Sequence, residues 1–272
     1  GGHKYTIDSS NYNEYTDMLS PGQLTMFAAY PDTFRMDVHD TGADCEINPD
    51  VKAISQSNGT MINDNEGLEL PNAGQIPFPN PTEGQHFIWN TRLNGSTVSA
   101  VYRIATSTNV QADGSIIIGQ QETNIVFPRN PNAVSQYADK NIYAMFMQKN
   151  LGPPRSAGLT TLVHDFIDSY VQPRKAWQYN PATRRVRRAP DITYDTVLAA
   201  GGGIVVVDQY GGFNGAQDKY DWTYEGKKKM IIAVDNDTLA NNALETTHTQ
   251  FHLNPDYVRY EERDVHVVHA QL

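Results

Sequence analysis

Four arginines, Arg184, Arg185, Arg187 and Arg188, surround Val186 in the segment KAWQYNPATRRVRRAP (175–190) and form the densest basic cluster in the chain. A guanidinium offers five donors in a planar fork, so the chemistry available here is bidentate binding of carboxylate or phosphate. On a strand, alternate residues face opposite sides, which puts arginines on both faces around Val186. An edge strand charged against sheet-to-sheet pairing satisfies the same pattern with no ligand at all. Because an unpaired charge is excluded from a core, at least one face must meet water, a carboxylate such as Asp191 or Asp195, or a partner. Trp177 and Tyr179 precede the cluster and join it as candidate ligand- or partner-binding residues. Lys227, Lys228 and Lys229 make a second basic run that reads more simply as a solvated face.

Other constellations carry less chemistry. Gly211-Gly212-Phe213-Asn214-Gly215, with Asp218, Asp221 and Trp222, lacks the Gly-Lys-Ser/Thr ending of a phosphate loop, as does Gly201–Gly203. Turn and bulge geometry accounts for those glycines, while Phe213 and Trp222 are kept as candidate ligand residues. Asp218 and Asp221 stand three apart in an expected strand and face opposite sides. Glu245, His248 and His252 would share a face if 243–252 were helical, but no HExxH pattern is present and Pro255 weakens the helix. His266 and His269 point opposite ways on a strand. No G-x-S-x-G elbow occurs, and adjacency separates His164 from Asp165. Cys45 lies among carboxylates that raise its pKa. No catalytic residue, metal site or cofactor is assigned from the sequence.

Stepping from these residues to the elements that hold them, Ala176–Tyr179 and Arg184–Arg188 are strand-compatible runs around Asn180-Pro181-Ala182-Thr183, a joint with turn chemistry. They predict an antiparallel hairpin. From Val98 onward the chain alternates: Val98–Gln111 and Ser115–Pro128 flank Ala112-Asp113-Gly114 as a long hairpin. A short helix or loop near Pro131–Lys140 precedes strands expected at 141–150, 158–171, 175–180, 184–188, 203–210, 218–225, 228–234 and 257–272. Helix signals concentrate earlier. Asn11–Leu19 follows candidate caps, Ser20-Pro21-Gly22-Gln23 is a capping box ahead of Leu24, Phe27 and Ala28, and Thr82-Glu83-Gly84-Gln85 repeats the logic before Trp89. Asn58–Pro81 reads as an extended loop. The expected organisation is a helix- and loop-rich segment, 1–97, and an antiparallel sheet, 98–272, in one structural domain. Phe87, Ile88, Trp89, Tyr102, Ile104, Phe146 and Trp177 are the expected apolar contacts between layers.

Composition narrows the classes. The net charge of −10 argues against a general nucleic-acid binder. The longest apolar runs are too short for a transmembrane helix. A single cysteine excludes internal disulfides and CxxC patterns. Gly1-Gly2 reads as a tag remnant and VHVVHAQL (265–272) as a strand with no turn after it, so both ends look cut.

The hairpin words, together with GGFNGAQDKYDWTYEGKKK (211–229), YNEYTDMLSPGQLTMFAAYPDTFRM (12–36), AGQIPFPNPTEGQHFIWN (73–90) and FHLNPDYVRYEERDVHVVHAQL (251–272), resemble a bacterial envelope family, domain of unknown function 1329. That family is related to the periplasmic lipoprotein carriers LolA and LolB. The resemblance implies a mainly β (α+β) fold: a curved antiparallel half-barrel sheet with N-terminal helices on one face. It also implies a periplasmic or outer-membrane-associated, non-enzymatic protein that binds a lipid-like or hydrophobic ligand, with an envelope exporter as partner. Together with the two cut ends, it implies an internal fragment whose export signal was removed. The alternative is a structural or adaptor protein of an export complex, using sheet edges and the arginine hairpin. A hydrolase is a third, less supported reading. The resemblance transfers no catalytic residue.

Overall fold

The computed structural model describes residues 1–43, 49–57, 76–93, 98–128, 130, 141–167, 172–189, 196–197, 205–209, 212–215 and 217–272. Along them run β1 (His3–Ile7), α1 (Pro21–Ala29), β2 (Met36–His39), α2 (Pro49–Ser57), α3 (Gly84–Arg92), β3 (Ala100–Val110) and β4 (Ile116–Val126). There follow β5 (Ile142–Gly152), β6 (Thr160–Phe166), β7 (Lys175–Asn180), β8 (Arg185–Arg188), β9 (Asp221–Ala233), α4 (Asp237–Ala240), α5 (Leu244–Thr247) and β10 (Tyr260–Gln271). The fold is mainly β, as expected, but the strands form two sheets rather than one: a four-stranded β1-β2-β10-β9 and a six-stranded β3-β4-β5-β6-β7-β8. Two compact units result. The first comprises Gly1–Glu46, Val110–Ile116 and Glu225–Val267; the second comprises Ile47–Asn109, Ile117–Tyr224 and Val268–Leu272.

The first unit is built on alternation. Met36 and Val38 of β2 are fully buried while Asp37 and His39 between them are half-buried. They pack with Ile7, Leu19, Phe27, Phe34 and Ile231 into one core. Tyr12 stacks on Phe27 at 5.1 Å and Phe34 meets Phe27 edge-on at 4.8 Å. The capping box of α1 forms as read: Ser20 Oγ accepts from the Gln23 N–H at 3.3 Å, and Gln23 Oε1 accepts from the Ser20 N–H at 2.7 Å. Gln23 Nε2 also donates to the Ile231 carbonyl at 2.9 Å, tying the helix start to β9. Tyr12–Met18 is a 3₁₀ helix rather than the α-helix expected over 11–19. β1 and β2 lie in a stretch read only for helices, and β10 pairs with β2 in parallel. A parallel pair needs a long connection, and here most of the chain separates the two strands, beyond the reach of local pattern.

The second unit is the expected antiparallel meander, each strand pairing with the next. The Ala112-Asp113-Gly114 turn that joins β3 to β4 belongs to the first unit; it closes with Gly114 at φ +80° and Asp113 Oδ1 accepting from the Ser115 N–H at 2.9 Å. In the second unit, α3 begins one residue later than read, with Glu83 as N-cap. His86 Nδ1, not Gln85, accepts from the N–H groups of Thr82 and Glu83, at 3.2 and 3.4 Å. Trp89 and Leu93 bury against Phe78, Ile167 and Tyr143.

Three expectations need correction. Tyr102 and Ile104 are 63% and 56% exposed, not core, because β3 is a sheet edge with one neighbour. The strand expected at 203–210 is, where described, an isolated bridge of Val206 to Val197 followed by a 3₁₀ turn, Val207–Gln209. The Glu225-Gly226 turn expected between two strands is the interior of one strand, β9; Gly226 at φ +97° lets the chain bend there without stopping. Cys45, residues 131–140, Asp191, Asp195, the glycines 201–203 and residues 58–75 of the long loop lie outside the described residues.

Candidate functional site

The six-stranded sheet treats its two faces differently, and the strand register shows how. Thr161, Val163 and Asp165 of β6 alternate with Leu162 and His164. Val163 and Asp165 are buried, at 0% and 3% exposure, whereas Leu162 is exposed. On the buried side, Val163 is flanked by Phe146 of β5 and Ala176 of β7. On the open side, Met147, Leu162, Trp177 and Arg188 lie opposite one another across four strands. The adjacent row is Lys149, Thr160, Tyr179 and Val186, and the row beyond Met147 holds Val126, Met145 and His164.

Val126, Met145, Met147, Leu162, Trp177, Tyr179 and Val186 therefore make an apolar strip across five strands. Met147, Leu162, Tyr179 and Val186 are 43%, 36%, 37% and 64% exposed. Apolar side chains exposed side by side on one sheet face make that face a candidate interaction surface. Glu122, Lys149, Arg188 and Lys175 border the strip with charge. His164 meets Trp177 edge-on at 5.0 Å. Burial first, then the neighbouring Lys175, lowers the His164 pKa against the pull of Asp165, so the imidazole on this face is neutral at pH 7.

The structure places the sequence-predicted residues in three groups. Trp177 and Tyr179 lie on the apolar strip, and Arg188 shares their face. Arg185 and Arg187 pair with Asn180 and Gln178 and point to the other side of the sheet. Arg184 is not a strand residue: it closes the turn at φ +53°, after Asn180 Oδ1 has accepted from the Ala182 N–H at 2.9 Å. Phe213 and Trp222 form a separate aromatic group with Tyr220, with centroids 5.0–5.7 Å apart, and Trp222 Nε1 donates to the Gln217 carbonyl at 3.1 Å. The Trp222 backbone lies so close to α3 that a Cβ at Gly84 would come within 2.9 Å of it. Sequence reading missed Val126, Met145, Met147 and Leu162. The run AMFMQ (144–148) is apolar on both faces, so alternation could not tell which side would be covered.

Behind the sheet lies a buried polar nest. Arg174 holds Asp165 through Nε at 2.5 Å and Nη2 at 3.2 Å, and Nη2 also donates to the Asn214 carbonyl at 3.0 Å. Arg92, 7% exposed, donates through Nη2 to the Phe166 carbonyl at 3.1 Å. Its Nε and Nη1 meet no hydrogen-bond partner among the described residues. Burial works against the Arg92 charge, and Asp165 supports it. By the alternation of β6, this nest is on the side opposite the apolar strip.

His164 and Asp165 face opposite sides, as expected. Thr33 Oγ1 lies 2.9 Å from His252 Nε2, and His252 Nδ1 lies 2.7 Å from the Leu253 carbonyl. A carbonyl only accepts, so Nδ1 donates and Nε2 accepts a hydrogen bond from the Thr33 hydroxyl. The ring is oriented by a backbone carbonyl and packed against Tyr30 and Phe34, an arrangement that joins two loops. Among the described residues, no group of three or more His, Cys, Asp or Glu is placed to hold a metal ion. Glu245 and His248 belong to a helix of one turn, Leu244–Thr247, and its cap rather than to the longer helix considered from sequence.

Comparison with known proteins decides the family. The model of a protein of unknown function, DUF1329, matches residues 6–272. This chain belongs to the DUF1329 family. It is 35% identical to the uncharacterized protein PA3922 of Pseudomonas aeruginosa over 97% of its own length. It spans 59% of that relative. Two solved structures are similar over about half of each chain. One is a DUF1329 family protein from Desulfovibrio piger, with 17% identity, 47% of this chain, 48% of that chain and a TM-score of 0.33. The other is described as an outer membrane lipoprotein-sorting protein domain from Vibrio parahaemolyticus, with 11% identity, 49% and 50% coverage and a TM-score of 0.35. Among the described residues, no helix of this DUF1329 chain is long and apolar enough to cross a membrane.

Proposed function

We propose that this DUF1329 chain is a periplasmic, carrier-type protein that holds a hydrophobic or lipid-like ligand against the open face of its six-stranded sheet. The observation that carries the reading is the apolar strip Val126–Met145–Met147–Leu162–Trp177–Tyr179–Val186, in which Val126, Met147, Leu162, Tyr179 and Val186 are exposed and Met145 and Trp177 half-buried, while Val163, Asp165 and Ala176 on the other face are buried. A surface of this kind gains by removing apolar area from water, roughly 25 cal/mol for each Å² covered, and the bordering Lys149, Lys175 and Arg188 can orient a polar end. No chemical step is part of the proposal. An envelope exporter as recipient of the ligand belongs to the same proposal and rests on the family resemblance.

Titration with a fluorescent long-chain fatty acid tests it. Wild type is expected to bind with saturation. Met147→Glu and Leu162→Glu are expected to abolish binding while leaving the melting temperature within a few degrees, since both side chains are already exposed. Saturable binding that survives both substitutions, or no binding by the wild type, overturns the reading.

A further inference from the structure

The β7–β8 hairpin carries a second property that the apolar strip does not require. All residues from Tyr179 to Arg188 are exposed, and β8 is the outer strand of its sheet. Four of the chain's 21 lysines and arginines fall within residues 184–188, in a molecule of net charge −10. None of these four guanidinium groups takes part in an ion pair or side-chain hydrogen bond with the described residues, whereas Lys4, Arg35, Arg174, Lys228, Lys229, Arg259 and Arg263 all face carboxylates. A plain solubilising surface in an acidic chain would intersperse the two signs. Here the positive charge is concentrated and no acid on the hairpin offsets it.

Apolar groups are set among these charges. Val186, 64% exposed, lies between Arg185 and Arg187 and directly opposite Tyr179, with Pro181 and Ala182 exposed at the tip. Guanidinium groups on both sides of a projecting hairpin, around an aliphatic side chain and a tyrosine, match the layered chemistry of a bilayer surface. Anionic headgroups take the arginines, and the interfacial zone takes Val186 and Tyr179. An acidic protein strand would use the arginines and the free edge of β8 but would gain little from an exposed tip. Tyr179 and Val186 are also the last members of the apolar strip, so the strip runs out to this tip. We propose that the β7–β8 hairpin docks the protein onto an anionic lipid surface, with Arg184, Arg185, Arg187 and Arg188 at the headgroups and Val186 and Tyr179 in the interface.

The proposal goes beyond ligand carriage and is tested apart from it, by co-flotation of the chain with lipid vesicles. Phosphatidylcholine vesicles containing about a third phosphatidylglycerol are compared with pure phosphatidylcholine at low and high salt. Wild type is expected to float with the anionic vesicles only and to be released as salt rises. Each arginine near the surface contributes roughly fivefold in partitioning, so the quadruple Arg→Gln variant at 184, 185, 187 and 188 should lose more than about a hundredfold. Val186→Glu should weaken binding with all four arginines intact. The triple variant Lys227→Gln, Lys228→Gln, Lys229→Gln, which changes total charge by a similar amount elsewhere, should float like wild type. Circular dichroism confirms that each variant is folded. The proposal is overturned if wild type ignores anionic vesicles, if the lysine variant loses as much as the arginine variant, or if only an acidic peptide and no vesicle binds the hairpin. Loss of fatty-acid binding in Met147→Glu with flotation unchanged would separate the two proposals.

Discussion

Glu261 of β10 shows how much one side chain can carry. It is fully buried, yet charged. Burial alone would raise its pKa. Hydrogen bonds from Arg259 at 2.7 and 3.2 Å, from the Gly42 N–H at 3.0 Å and from Arg263 at 2.7 Å overcome that and hold it at about 2. A carboxyl depressed in the folded state from its ordinary 4.5 stabilises the fold above pH 4.5 and loses that contribution as pH falls toward 2. Replacing it by glutamine should cost roughly 3 kcal/mol at pH 7, because the half-buried Arg259 and Arg263 lose the ionised carboxylate they hold. Denaturant unfolding of wild type and Glu261→Gln should therefore show a gap that is widest near neutral pH and shrinks between pH 4.5 and 2. A gap independent of pH would mean that packing, not the ionised carboxylate, is what the site supplies.

At the level of the element, β6 is the strand that reports the sheet's two faces. Val163 and Leu162 are neighbours in sequence and similar in hydrophobicity, but one is fully buried and the other exposed. Val163→Ala should cost about 2 kcal/mol, from lost transfer energy and the cavity left behind. Leu162→Ser should cost less than about 1 kcal/mol. Urea midpoints of the two variants test this directly, and equal losses would mean that the open face is covered after all. The α1 capping box makes a comparable point about helix ends: Ser20→Ala should cost about 1 kcal/mol, read as a lower midpoint with an unchanged slope.

For the whole molecule, charge is the broad constraint. A net −10 places self-repulsion on the folded state, relieved when salt screens it. Raising salt from about 10 mM to 500 mM should lift the melting temperature by about 2–4 °C if screening returns ~1 kcal/mol. A fall would show that exposed pairs such as Lys4–Glu262 and Lys228–Glu225 outweigh the net repulsion. The same charge sets the hairpin apart, since its four arginines are the densest basic cluster in an acidic chain.

The sequence by itself determined the local features. Turn residues and alternation placed the ends of β3 to β8 within about two residues, except that the strand read at 158–171 ends at Phe166, because each strand pairs with its sequence neighbour and the instructions lie within a few residues. Ser20-Pro21-Gly22-Gln23 fixed the start of α1 for the same reason: both partners of each hydrogen bond are in the motif. The arginine cluster and its hairpin were legible as well. Only the tertiary structure decided what depends on residues far apart. The β2–β10 pairing joins the two ends of the chain, Gly226 turns out to bend a strand rather than end it, and the Trp222 backbone comes to lie against the start of α3. The candidate ligand face is the clearest case. AMFMQ and TTLVHDF are apolar on both sides, and no local pattern says which side will be covered. That depends on where α3 and the loops carrying Arg174 and Asn214 come to rest, closing over Asp165 and the Phe166 carbonyl while Met147, Leu162 and Tyr179 stay exposed on the other face. Burial is a property of neighbours in space, and for this sheet those neighbours come from distant parts of the chain.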